Sequence, residues 1–132
     1  MIKYFLTHYW RTILISIVIF AISTYNFSGV TQVLKFQNND KFIHLMMYLG
    51  LGFVVFWEFA KSHESLKESR GKLLAIFLIF AAFGGIIEVI QGAFFYPRTA
   101  EFADWFADII GFAAGLGIGS CGVKLYRKYK KK

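Results

Sequence analysis

The chain has one cysteine and one proline in 132 residues. A single thiol excludes an intrachain disulfide and a thiolate metal cluster, and a single proline leaves no rigid linker between domains. Cys121 stands in an apolar run and is expected to be a small buried hydrophobe. Charge is also scarce, at 17% of residues against about 25% in soluble domains. No GxSxG, HExxH, Walker pattern or phosphate-cradling glycine loop occurs, which removes the common sequence signatures of hydrolases, zinc peptidases and nucleotide binders. There is no internal repeat, and the only biased tract is the basic tail KLYRKYKKK.

What the chain has is apolar length. Hydrophobic residues make up 57% and aromatics 20%, with 16 phenylalanines. A soluble domain of this size would leave large apolar patches in water. Four runs approach the roughly 20 residues a spanning helix needs: about 10–28, 42–60, 73–95 and 102–123. Backbone groups in hydrocarbon must be satisfied within their own segment, so these runs are read as helices. The first is the shortest. Lys3 and Arg11 precede it and Ala21-Ile22-Ser23 resembles a weak cleavage site, so a cleaved signal segment stays open; Tyr25 and Phe27 favour retention.

Lysine and arginine set the orientation. Twelve lie in the N-terminal flank, the second connection and the tail, whereas Lys35, Lys41 and Arg98 lie on the other side. The expected fold is an all-α integral membrane protein, a compact bundle of four transmembrane helices in one domain over 1–132, with both termini cytoplasmic. The tail, and with it the net charge of +7, is read as a topology signal that meets anionic lipid headgroups. No nucleic acid is expected as a partner.

In that topology, polar residues collect at the outer ends of three helices. Asp40, Lys41 and His44 open the second span, and Asp40, His44 and Tyr48 share a face at i, i+4, i+8. Glu88 and Gln91 lie near the outer end of the third span, Arg98 and Glu101 in the connection, and Asp104 and Asp108 on the first turns of the fourth. An ionisable group inside a membrane helix costs about 2.5–3.5 kcal/mol on insertion scales and normally faces the bundle interior. The expected ligand-binding set is therefore Asp40, Lys41, His44, Glu88, Gln91, Arg98, Asp104 and Asp108. Gly111, Gly115 and Gly119 continue the stripe of Asp104 and Asp108 as overlapping GxxxG steps and are expected to pack helices. Gly84, Gly85, Gly92, Gly50 and Gly52 are their expected partners, and a homodimer through the same stripe is the less favoured use. His44, Glu88, Asp104 and Asp108 contain donors for Zn²⁺ or Mg²⁺, but with no paired-histidine spacing no metal or other cofactor is assigned. His8 and His63 sit in flanks with no such company. Transport is not expected, because the inner half of every helix lacks a matching chain of polar residues; Ser16 and Ser120 are read as the only hydroxyls there.

The ordered set Asp40-Lys41-xx-His44, Glu88-xx-Gln91, Arg98, Asp104 and Gly111 resembles the VanZ-like family of small membrane proteins, over about Asp40 to Gly119. Where that family usually carries Asn four residues after the Asp, this chain has Asp108. The resemblance implies a role at the cell envelope, since the founding member is associated with low-level resistance to the glycopeptide teicoplanin. Three readings follow. The pocket binds a lipid-linked wall precursor or related ligand, with Lys41 and Arg98 pairing its anionic groups. Alternatively it is an enzyme site, with Glu88 or Asp104 as general base, His44 as its acid–base partner and Arg98 stabilising charge. In the third, the network is purely structural.

Overall fold

In the computed structural model, which describes residues 1–24, 39–62, 69–95 and 99–131, all regular structure among the described residues is helical. The helices are α1 (Ile2–His8), α2 (Trp10–Thr24), α3 (Asn39–Ser62), α4 (Arg70–Phe94) and α5 (Phe102–Lys130). Among the described residues, three segments are each long and apolar enough to cross a membrane: Lys41–Ser62, Arg70–Phe94 and Phe102–Lys130. The first and last contain the expected spans 42–60 and 102–123, and Arg70–Phe94 covers the expected 73–95 except for its last residue. The expected 10–28 span is described as α2 only as far as Thr24, and its last four positions lie outside the described residues. α2 has 15 residues, about 22 Å, short of a bilayer core near 30 Å. It reaches spanning length only together with α1, from which it turns by 82° at Tyr9.

The exterior is apolar. Leu74, Leu78, Ile79, Ile86 and Val89 on α4, with Phe106, Ile110 and Ile118 on α5, are all more than half exposed. Water would penalise such a belt at about 25 cal/mol per Å²; lipid does not. The same inversion corrects the reading of Cys121, which is exposed on the outside of α5, because an apolar run in a membrane helix supplies the outer face as well as the core. α5 also runs on through the basic tail to Lys130. There Arg127 Nη2 donates to the carbonyl of Ala60 at 2.8 Å, satisfying an end group of α3.

α3 and α5 run parallel in close backbone contact. A β-carbon on Gly111 would collide with the carbonyl of Leu45, one on Gly115 with that of Leu49, and one on Gly119 would lie 2.9 Å from Phe56 Cβ. From the α3 side, Gly52 meets the carbonyl of Phe112. Gly50, by contrast, faces open space. α4 packs antiparallel to α5: Trp105 Nε1 donates to the carbonyl of Ala81 at 2.8 Å and its ring lies over Gly85. Tyr48, Leu51, Val55, Ile87, Phe112 and Ile19 form the buried apolar centre, so α2 is part of the bundle.

Glu58 fixes the start of α2. This carboxylate, 4% exposed, sits in the apolar stretch FVVFWEFA of α3. It accepts hydrogen bonds from Arg11 N at 3.2 Å, Thr12 N at 3.2 Å and Thr12 Oγ1 at 2.8 Å. Those two amides belong to the first turn of α2, where an N-cap side chain normally serves them and where the helix dipole favours an anion. Here the cap comes from a neighbouring helix. The buried Thr12 hydroxyl corrects the expectation that Ser16 and Ser120 are the only hydroxyls toward that end, and Glu58 adds a carboxylate beside it.

Two outcomes are expected. Gly115→Ala should lower stability in detergent by roughly 1–3 kcal/mol, as overpacking does, whereas Gly117→Ala, whose β-carbon meets nothing within 4 Å, should be neutral or slightly stabilising; unfolding titrations compare them. Glu58→Ala should cost roughly 1.5–3 kcal/mol, as loss of hydrogen bonds to a charged acceptor does, and should speed amide exchange at the start of α2 while leaving that of α5 unchanged.

Candidate functional site

The parallel register of α3 and α5 builds the polar site as a continuation of the glycine contact. One turn before Gly111 stands Asp108, and its Oδ1 lies 3.0 Å from Nδ1 of His44. A further turn out, Asp104 Oδ1 lies 3.5 Å from Nζ of Lys41. Lys41 also donates to Glu101 Oε2 at 2.9 Å, at the exposed rim. α4 closes the third side. Its Glu88 Oε1 approaches His44 Nδ1 to 3.7 Å, and its Oε2 accepts the backbone N–H of Glu101 at 3.3 Å, tying α4 to the start of α5.

Apart from the rim, the site is buried. His44, Glu88, Asp104 and Asp108 are each 5% exposed or less, while Lys41 and Glu101 reach solvent. Tyr48, one turn deeper than His44 on α3, is 1% exposed. Glycine makes room for it: a β-carbon on Gly84 would lie 3.0 Å from Asp108 Oδ2 and 3.3 Å from the Tyr48 hydroxyl. The Tyr48 hydroxyl, Glu88 Oε1 and Asp108 Oδ2 are all buried without a hydrogen-bond partner. A buried polar atom left this way costs about 1–3 kcal/mol.

The structure thus brings together Lys41, His44, Glu88, Asp104 and Asp108 from the expected set. Gln91 is turned elsewhere: its Nε2 donates at 2.6 Å to the carbonyl of Ser23, satisfying the last turn of α2. Asp40 lies on the first turn of α3, and its side chain is outside the described residues, as are Arg98 and His63. His8 lies on exposed α1, in contact with Thr7 and Tyr4. Sequence reasoning used Tyr48 only as a face marker and passed over Glu58 entirely. A signal existed for Glu58, since a carboxylate inside an apolar run is expensive wherever it sits. For Tyr48 the decisive neighbour is Gly84, which no spacing on α3 reveals.

Chemically, the arrangement offers a buried histidine–carboxylate pair, a second carboxylate within reach of the same imidazole, and a solvent-facing lysine at the rim. Comparison with known protein families, curated proteins and solved structures finds no match to the chain.

Proposed function

We propose that the chain is a VanZ-like protein of the plasma (inner) membrane, with four spans and both termini cytoplasmic. Its polar site then faces outward and binds the polar head of a lipid-linked wall precursor or a glycopeptide-related ligand, and through that binding it contributes to teicoplanin resistance. One observation supports a ligand over a purely structural network. Three buried polar atoms, from α3, α4 and α5, converge without partners at one end of the bundle. A network kept only for stability gains nothing from orphaned acceptors and is better replaced by apolar packing. Lys41 at the rim and Arg98 in the adjoining connection supply the positive charge that a phosphate or carboxylate head requires.

A second reading, acid–base catalysis on such a lipid, is favoured by one distance. His44 Nδ1 stands 3.0 Å from Asp108, the arrangement that fixes an imidazole tautomer for proton transfer. In this reading Glu88 or Asp104 is the base and His44 its partner.

The test is teicoplanin susceptibility of a Gram-positive host expressing the wild type beside Glu88→Ala and Arg98→Ala, with membrane abundance matched. The wild type should raise the inhibitory concentration and both variants should return it to that of the empty vector. A well-inserted wild type without effect removes the glycopeptide link. The topology has its own expected outcome: in a Cys121→Ser background, an impermeant maleimide applied to intact cells should label Thr99→Cys and spare Lys131→Cys.

A further inference from the structure

The geometry points to a divalent transition-metal site formed by His44, Glu88 and Asp108, with Tyr48 lining it. This goes beyond the reading above and holds whatever the lipid ligand is.

One donor atom from each of the three residues lies within 4.8 Å of the other two, and all three residues are buried. His44 Nδ1 is 3.0 Å from Asp108 Oδ1 and 3.7 Å from Glu88 Oε1. Tetrahedral Zn²⁺, with bonds of about 2.0–2.1 Å, holds its donors about 3.3 Å apart. The two separations from His44 bracket that value, and the Glu88 and Asp108 donors lie within 4.8 Å of each other. The donors come from three different helices and the contact of α3 with α5 fixes two of them, so the set is held by backbone packing.

The second observation is independent of the acidic pair. The Tyr48 hydroxyl is 1% exposed, has no hydrogen-bond partner, and gathers with Asp108 Oδ2 against the bare face of Gly84. A phenolic hydroxyl there has a use if the site holds a metal-bound water or ligand oxygen, to which it donates. Charge agrees: Glu88 and Asp108 present two carboxylates to one imidazole, and a divalent ion neutralises both. One nitrogen and two carboxylate oxygens suit Zn²⁺, Mn²⁺ or Fe²⁺ better than Ca²⁺, which takes 6–8 oxygen ligands. Three protein ligands also leave a coordination position for an exchangeable oxygen, as in catalytic zinc sites.

The experiment uses the full chain, purified in detergent, stripped with a chelator and titrated with ZnCl₂ alone. The expected result is saturable uptake of one Zn²⁺ per chain and a melting temperature that rises with Zn²⁺ concentration. His44→Gln and Asp108→Asn should each weaken binding by more than the roughly 10–100-fold typical of an outer-shell change, while a His8→Gln/Cys121→Ser double variant should bind as the wild type does. Tyr48→Phe should keep the stoichiometry. Binding that is absent, substoichiometric, or equal in His44→Gln overturns the proposal. Should the ligand variants fail to fold, the Co²⁺ spectrum of the wild type decides. Visible d–d bands that differ from those of aqueous Co²⁺ and carry no thiolate charge transfer support a nitrogen–oxygen site; the spectrum of the aqueous ion, or one with thiolate bands from Cys121, overturns it.

Discussion

The approach of α5 to the backbone of α3 governs everything else. Gly111, Gly115 and Gly119 let α5 settle against the carbonyls of Leu45 and Leu49 and the side chain of Phe56, closer than any side chain would permit. Lipid tails are as apolar as leucine, so burial of apolar surface contributes little to holding two helices together in a bilayer; close van der Waals contact and interhelical hydrogen bonds must. The polar site is the same contact carried outward. Asp108 meets His44 and Asp104 meets Lys41 in the register that the glycines impose. A change that lifts α5 away from α3 therefore separates the polar pairs as well.

Because the glycines and carboxylates share one stripe, that half of the architecture could be read from spacing alone. The intervals on α5 bury Asp104, Asp108, Gly111, Gly115 and Gly119 together, and they are buried. The rest was hidden for a physical reason. Helical periodicity says which residues share a face, but not which helix the face meets. Gln91 illustrates this: it lies three residues from Glu88, yet it serves the carbonyl of Ser23 on α2. Cys121 illustrates the other blind spot, since apolar context means burial in water but not in lipid. Gly84 was legible as a small residue for packing, but its effect on Tyr48 and Asp108 needs three helices at once.

Glu58 shows what a satisfied intramembrane carboxylate looks like. Both of its oxygens are bonded, to the first-turn amides of α2 and to the Thr12 hydroxyl, and the positive end of that helix faces it. The cost of taking the group out of water is offset by donors that the helix start would otherwise leave unserved. α2 also turns sharply from α1 at this point, so the chain needs a partner there that local sequence does not provide.

Glu88 and Asp108 differ from Glu58 in this respect. Each keeps one buried oxygen without a partner, and both face the imidazole of His44. The same fold that supplies three donors to Glu58 leaves Glu88 Oε1 without one, and gathers Asp108 Oδ2 and the Tyr48 hydroxyl, likewise unbonded, beside Gly84. Apolar side chains in their place would pack the bundle at lower cost. Stability therefore accounts for the carboxylate at one end of the bundle, where both oxygens are bonded, whereas Glu88 Oε1 and Asp108 Oδ2 at the other end carry no hydrogen bond.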